Sequence, residues 1–115
     1  GISYNNGLNT FQPDFIVKFD DGSVGIFDTK AIDQRVEDTK VKQEALFNYI
    51  YNINLNRGYA PKVIGGIVIK YGTQFYLFEG NNYHTFSEST TGWRNFNELL
   101  REIDNNVNLK KYLNI

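Results

Sequence analysis

The chain has no cysteine and a single histidine, His84, in 115 residues. The first absence excludes disulfides and thiolate zinc sites, and the second excludes a histidine-rich metal centre. Any metal here must be a hard cation held by carboxylate and carbonyl oxygens: magnesium, manganese or calcium. A basic excess is also missing. The formal net charge is −1, so the domain alone is expected to hold nucleic acid weakly, because phosphate neutralisation supplies most non-specific affinity. No apolar run approaches the roughly 18 residues of a transmembrane helix, and the N-terminus shows no signal-peptide pattern. The expectation is a soluble, cytoplasmic protein with no membrane partner.

What is present belongs to a small globular domain. Hydrophobic residues make up 41%, aromatic 16% and charged 22%, which supports a single core spanning residues 1–115. Residues 1–10, rich in Asn and Gly, read as a loop or short edge strand, and the abrupt start suggests a fragment of a larger protein. FIVKF (15–19) and SVGIFDTKA (23–31) are rich in β-branched and aromatic residues and flank Asp20-Asp21-Gly22, a hairpin signal. From about Glu37 to Leu55 the pattern turns helical, with Ala45, Leu46, Tyr49, Ile50 and Ile53 at three- and four-residue spacing. VIGGIVIK (63–70) reads as a strand buried on both faces, with Gly65-Gly66 marking close backbone approach. QFYLFEG (74–80) follows, then Tyr83–Phe86 as a short strand, a polar loop at 87–92, a second helix over about 95–105 and a short C-terminal helix near 107–113. The order implies a mixed β-sheet flanked by helices, an α/β fold.

The hairpin carries the chemistry, and its register decides what meets. A two-residue turn at Asp21-Gly22 puts Asp14 opposite Thr29. A three-residue loop, with Gly22 as the left-handed residue, pairs Phe19 with Ser23 and puts Asp14 opposite Asp28. In the second register one face carries Asp14, Ile16 and Lys18 against Val24, Ile26, Asp28 and Lys30, with both faces expected to be at least partly buried. Directly opposed carboxylates repel by about 3 kcal/mol at roughly 5 Å and an effective dielectric near 20. One acid must hold a proton, or a cation must sit between them. A divalent ion bridging a phosphate oxygen and an attacking water, with Lys30 beside it, suffices for phosphodiester hydrolysis.

Pro13-Asp14, thirteen residues, then Asp28-Thr29-Lys30 resembles the Pro-Asp…(Asp/Glu)-x-Lys signature of the restriction-endonuclease-like nucleases. The order of hairpin, helix and apolar strand over about residues 11–70 is similar too, and the stretch looks most like the nuclease domains of type III restriction enzymes and related helicase-like proteins. The resemblance implies a restriction-endonuclease-like fold and a magnesium-dependent deoxyribonuclease, with manganese as a substitute. It implies Asp14 and Asp28 as metal ligands, the Thr29 carbonyl as a third, and Lys30 serving the water or the scissile phosphate. Lys42 and Gln43, early in the following helix, stand where some members carry an accessory residue. The family core usually begins with a helix bearing a further acid, and residues 1–10 have neither, so that helix is expected to be absent or truncated. DNA is the implied partner, with target recognition and any translocation left to domains of the same polypeptide outside this chain, which lacks a Gly-x-x-x-x-Gly-Lys-Ser/Thr loop. Cutting both strands implies a homodimer or other two-site assembly and a restriction-modification role. The alternative is a non-catalytic module of the same fold that binds DNA or protein.

Overall fold

The computed structural model describes residues 1–4, 7–32, 34–58, 60 and 62–103. Strands β1 (Ile2–Tyr4) and β2 (Asn9–Phe11) form a two-stranded antiparallel sheet. The main sheet has five strands in the order β3 (Phe15–Lys18), β4 (Val24–Thr29), β5 (Val63–Tyr71), β6 (Gln74–Phe78) and β7 (Trp93–Asn95). Among the described strands the β4–β5 pair alone is parallel, and α1 (Val36–Arg57) makes the crossover that a parallel pair requires. The described residues form a compact α/β fold with a mixed sheet and, among them, two helices, α2 (Phe96–Ile103) being the second. Among the described residues no helix is long and apolar enough to cross a membrane.

Strand alternation divides the core between the two faces. On one, Phe27, Val68, Leu77 and Phe75 meet Phe96, Leu99 and Leu100 of α2. On the other, Ile26 and Val63 meet Leu46 of α1, together with Ile2 and Phe11 from the N-terminal hairpin. The buried residues of α1 are Thr39, Gln43 and Leu46, a one-sided row at helical spacing. Glu37 and Asp38 in its first turn and Arg57 in its last complement the helix dipole.

Two side-chain amides fasten α1 to the sheet. Asn54 donates from Nδ2 to the Val63 carbonyl at 2.9 Å and accepts the Val63 N–H at 2.8 Å. Gln43 accepts the Ile67 N–H at 3.1 Å and donates to the Gly80 carbonyl at 2.7 Å. The paired glycines of β5 sit where expected for close approach. A Cβ at Gly65 would run into the carbonyl oxygen of Ile26, and one at Gly66 into that of Phe78.

Several sequence expectations are corrected here. Ile2–Tyr4 and Asn9–Phe11 pair in a sheet of their own, in place of the loop or short edge strand expected for residues 1–10. Tyr83–Phe86 is not a strand; the fifth strand is Trp93–Asn95, so the second helix begins at Phe96. Tyr83 and Thr85 are buried without joining the sheet, and the Trp93 indole N–H donates to the His84 carbonyl at 3.1 Å, so packing and side-chain bonds hold that segment. The expectation that both hairpin faces are partly covered fails at β3, the edge strand, where Ile16 is 69% exposed. The expected C-terminal helix near 107–113 lies outside the described residues.

Candidate functional site

The hairpin adopts the three-residue loop. Gly22 sits at φ 90°, a conformation that a side chain would strain, and its N–H donates to the Phe19 carbonyl at 3.0 Å while Phe19 N–H donates to Ser23 at 2.9 Å. The Asp21 carboxylate accepts from the Ser23 N–H and hydroxyl, which holds the carboxyl below its usual value. The pairing Phe15 with Phe27 and Ile16 with Ile26 follows. Continued by one residue, it sets Asp14 opposite Asp28.

Asp14 lies just before β3, in a bend rather than in the strand itself. Its Oδ2 accepts the Thr29 N–H at 2.8 Å and the Thr29 hydroxyl at 2.7 Å. The edge carboxylate is thereby fixed to the end of β4, next to Asp28, while remaining exposed. Thr29 thus enters the site through its N–H and hydroxyl, which tie Asp14 down.

Asp28 ends the apolar face of β4 that begins with Val24 and Ile26. It is 4% exposed, and the Lys30 ammonium, two residues on and therefore on the same face, stands 3.4 Å from its Oδ2. Burial is the main reason its carboxyl is held above the usual range. The Lys30 charge and hydrogen bond work against that rise, whereas the charge of Asp14 and a hydrogen bond with it reinforce the rise. Two carboxylates thus share one place, one wet and one dry, with a lysine against the dry one.

The two helix residues of the expected site part company. Gln43 is fully buried, and both ends of its amide are taken by main-chain groups, the Gly80 carbonyl and the N–H of Ile67, the β5 residue paired with Asp28, so it fastens the helix to the sheet next to the site. Lys42 turns the other way. Its ammonium is 3.2 Å from Asp38 Oδ2 and lies 5.7 Å and 5.6 Å from the ring centres of Tyr4 and Phe11. Burial opposes its charge, but the Asp38 hydrogen bond and charge, with smaller contributions from Tyr4 and Asp28, hold it above the ordinary lysine value. The cluster is therefore Asp14, Asp28, Thr29 and Lys30, with the Lys42–Asp38 pair on α1 close enough for the Asp28 charge to act on Lys42.

Tyr4, Phe11 and Asp38 were not legible as site residues. Asp38 and Lys42 at four-residue spacing read equally well as a solvated helix pair, and nothing in an Asn-rich N-terminus announces that two rings pack on that lysine. Among the described residues, no three His, Cys, Asp or Glu side chains come together as a metal cage. Compared with protein-family models, curated proteins and solved structures, the chain matches none.

Proposed function

We propose that this chain is a nuclease domain of the restriction-endonuclease-like type, hydrolysing DNA phosphodiester bonds with magnesium as part of a larger restriction or DNA-processing protein. The observation that carries the reading is the hairpin register. It sets Asp14 against a buried Asp28, with the ammonium of Lys30, the residue just past the end of β4, 3.4 Å from the Asp28 carboxylate. A turn that merely needed capping does not require that arrangement.

The donor set fits the metal. Magnesium is commonly bound through one or two carboxylates, the rest of its octahedron being water and substrate phosphate oxygens, so a two-acid site is sufficient and manganese can take its place. When bound, the ion offsets charge on the phosphate and makes a coordinated water a better nucleophile. The chain's own residues do the rest. Asp28 must be ionised to act as a ligand, which Lys30 favours and burial resists. Asp14 is kept in place by the Thr29 N–H and hydroxyl, and the peptide that carries the Thr29 carbonyl, the third proposed ligand, is anchored by the Lys30 N–H, which donates to the Val68 carbonyl at 3.0 Å. Lys30, with its ammonium beside the carboxylate pair, is placed to hydrogen-bond the attacking water or a non-bridging phosphate oxygen. Lys42 offers a second cation to the phosphate from the helix side. The single-strand or duplex preference, and assembly as a homodimer, follow from which substrates are cut.

The test is cleavage of plasmid, linear duplex and single-stranded DNA with magnesium or manganese by wild type and by Asp14→Ala, Asp28→Ala and Lys30→Ala. Each variant should lose at least about a hundredfold in rate, the scale for removing a group that acts on developing charge, with its circular dichroism intact. An Asp28→Ala protein that cuts as fast as wild type sinks the assignment. A wild type that binds DNA without cutting it, unaffected by metal, identifies the non-catalytic module instead.

A further inference from the structure

The N-terminal hairpin does more than cover one end of α1. Pairing of Ile2 with Phe11 and Tyr4 with Asn9 turns Ile2, Tyr4 and Phe11 to one side of the hairpin. Ile2 and Phe11 are buried there in a cluster with Leu46 of α1 and Ile26 of β4. Ile26 and Asp28, two apart on β4, share a face, so Phe11 brings the hairpin to the threshold of Asp28. The rings of Tyr4 and Phe11 stand edge to face, 5.7 Å apart and at 78°. The Lys42 ammonium lies within cation–π range of both, with Asp38 at 3.2 Å on its remaining side. Its side chain is only 16% exposed, unusual confinement for a residue that ordinarily extends its charge into water. Gln12 and Pro13 alone separate this clamp from Asp14.

We infer that the hairpin is a positioning device for the site, in which Tyr4 and Phe11 fix the Lys42 ammonium and so present a second cation to the site from the helix side. On the nuclease reading, on which this part rests, that ammonium meets a non-bridging oxygen of the bound phosphodiester. Held by rings and one carboxylate, it keeps hydrogen-bonding capacity for an anion, since an ammonium has three donors. The tether through Gln12 and Pro13 makes the same hairpin set both Lys42 and Asp14.

The experiment has two arms. In the first, surface lysines are reductively methylated with carbon-13, which keeps their charge, and the Lys42 signal is assigned by its loss in Lys42→Arg. Its resonance should be displaced upfield by the two rings, return toward the bulk lysine position in Tyr4→Leu, and stay displaced in Tyr4→Phe. Tyr4 is chosen because it is only partly buried, whereas Phe11 belongs to the core. A Lys42 signal that Tyr4→Leu does not move overturns the inference. In the second arm, cleavage is measured in a double-mutant cycle. Tyr4→Leu should lower kcat about tenfold in the wild-type background, do nothing further in Lys42→Met, and be rescued in Tyr4→Phe. Equal losses in both backgrounds overturn the inference while leaving the nuclease reading standing. A protein that cleaves no nucleic acid but shows the Tyr4-dependent shift does the reverse, keeping the clamp and rejecting the nuclease.

Discussion

Replacing Asp28 with Asn should make the metal-free protein more stable and the metal-loaded protein less so. Three contributions act on the Asp28 charge. At an effective dielectric near 20, Asp14 at roughly 5 Å repels it by about 3 kcal/mol, less after solvent screening because Asp14 is exposed. Lys30 at 3.4 Å attracts it by about 5 kcal/mol on the same scale. The two charge contributions oppose one another on similar scales, so loss of hydration in a nearly closed site decides the direction, and the carboxyl is raised. A raised acid contributes stability that is whole below its unfolded pKa and is lost as pH rises through its folded pKa. Metal-free wild type should therefore weaken from about pH 4 upward into the range of the raised pKa, and Asp28→Asn should remove that part of the slope and melt higher at pH 7. Metal reverses the order. Saturating magnesium or manganese at about a hundred times Kd adds roughly 2.7 kcal/mol to wild type, or about 10 °C for a chain of this size, and nothing to Asp28→Asn. Thermal melts of both proteins, with EDTA and with each metal, read the crossing directly. Equal metal shifts in the two proteins, or a metal-free Asp28→Asn that melts below wild type at pH 7, would refute the reasoning.

Lys30→Met should abolish cleavage and also cost about 1.5–3 kcal/mol at pH 7, the usual scale for a hydrogen bond to a charged group, because Asp28 is left buried without its cation; most of that loss should disappear in Asp28→Asn, as urea melts of the double mutant will show. Gln43→Leu leaves the Ile67 N–H and the Gly80 carbonyl unpaired, for a loss of about 2–4 kcal/mol in denaturant unfolding, while the cleavage rate of the folded fraction at low temperature stays within a few-fold of wild type. Gly65→Ala drives a methyl into the Ile26 carbonyl and should destabilise by more than about 3 kcal/mol, seen as a lower melting temperature or loss of soluble protein.

Which parts of this could be read from the letters follows from where each feature is specified. The hairpin was legible because its turn is set locally by Asp20-Asp21-Gly22, but that tripeptide fits a two- or a three-residue loop, and the structure takes the second, with Gly22 at positive φ; strand alternation then dictates which carboxylates face one another. The same holds for the crossover helix and for β5, whose apolar run and paired glycines have no reading other than a central, closely approached strand. Strand β7 was missed for the opposite reason. Trp93-Arg94-Asn95 has too few residues to show a period, and it is a strand only because β6 offers an edge. Tyr83–Phe86 has the composition of a strand, but side-chain bonds and aromatic packing hold it as a loop, an override of local propensity by context. Gln43 and Asn54 look like solvated helix residues until the sheet they bind is in place.

Asp28 itself argues against a purely structural account. The face of β4 that carries Val24 and Ile26 is closed by α1 and the hairpin, and a third apolar residue or an Asn would complete it without the hydration lost in burying a charge. An acid is there instead, opposite a second acid. The fold compensates elsewhere, with amide anchors from Gln43 and Asn54 holding α1 down on the neighbouring strand β5. Local choices that oppose stability while their surroundings are well satisfied concentrate at sites of chemistry. Lys30, just past the end of β4, gives the buried acid a counter-charge, Lys42 is held by the hairpin, and the exposed acid opposite Asp28 gives a cation somewhere to arrive. Stability alone asks for none of these three, and phosphodiester hydrolysis can use them all.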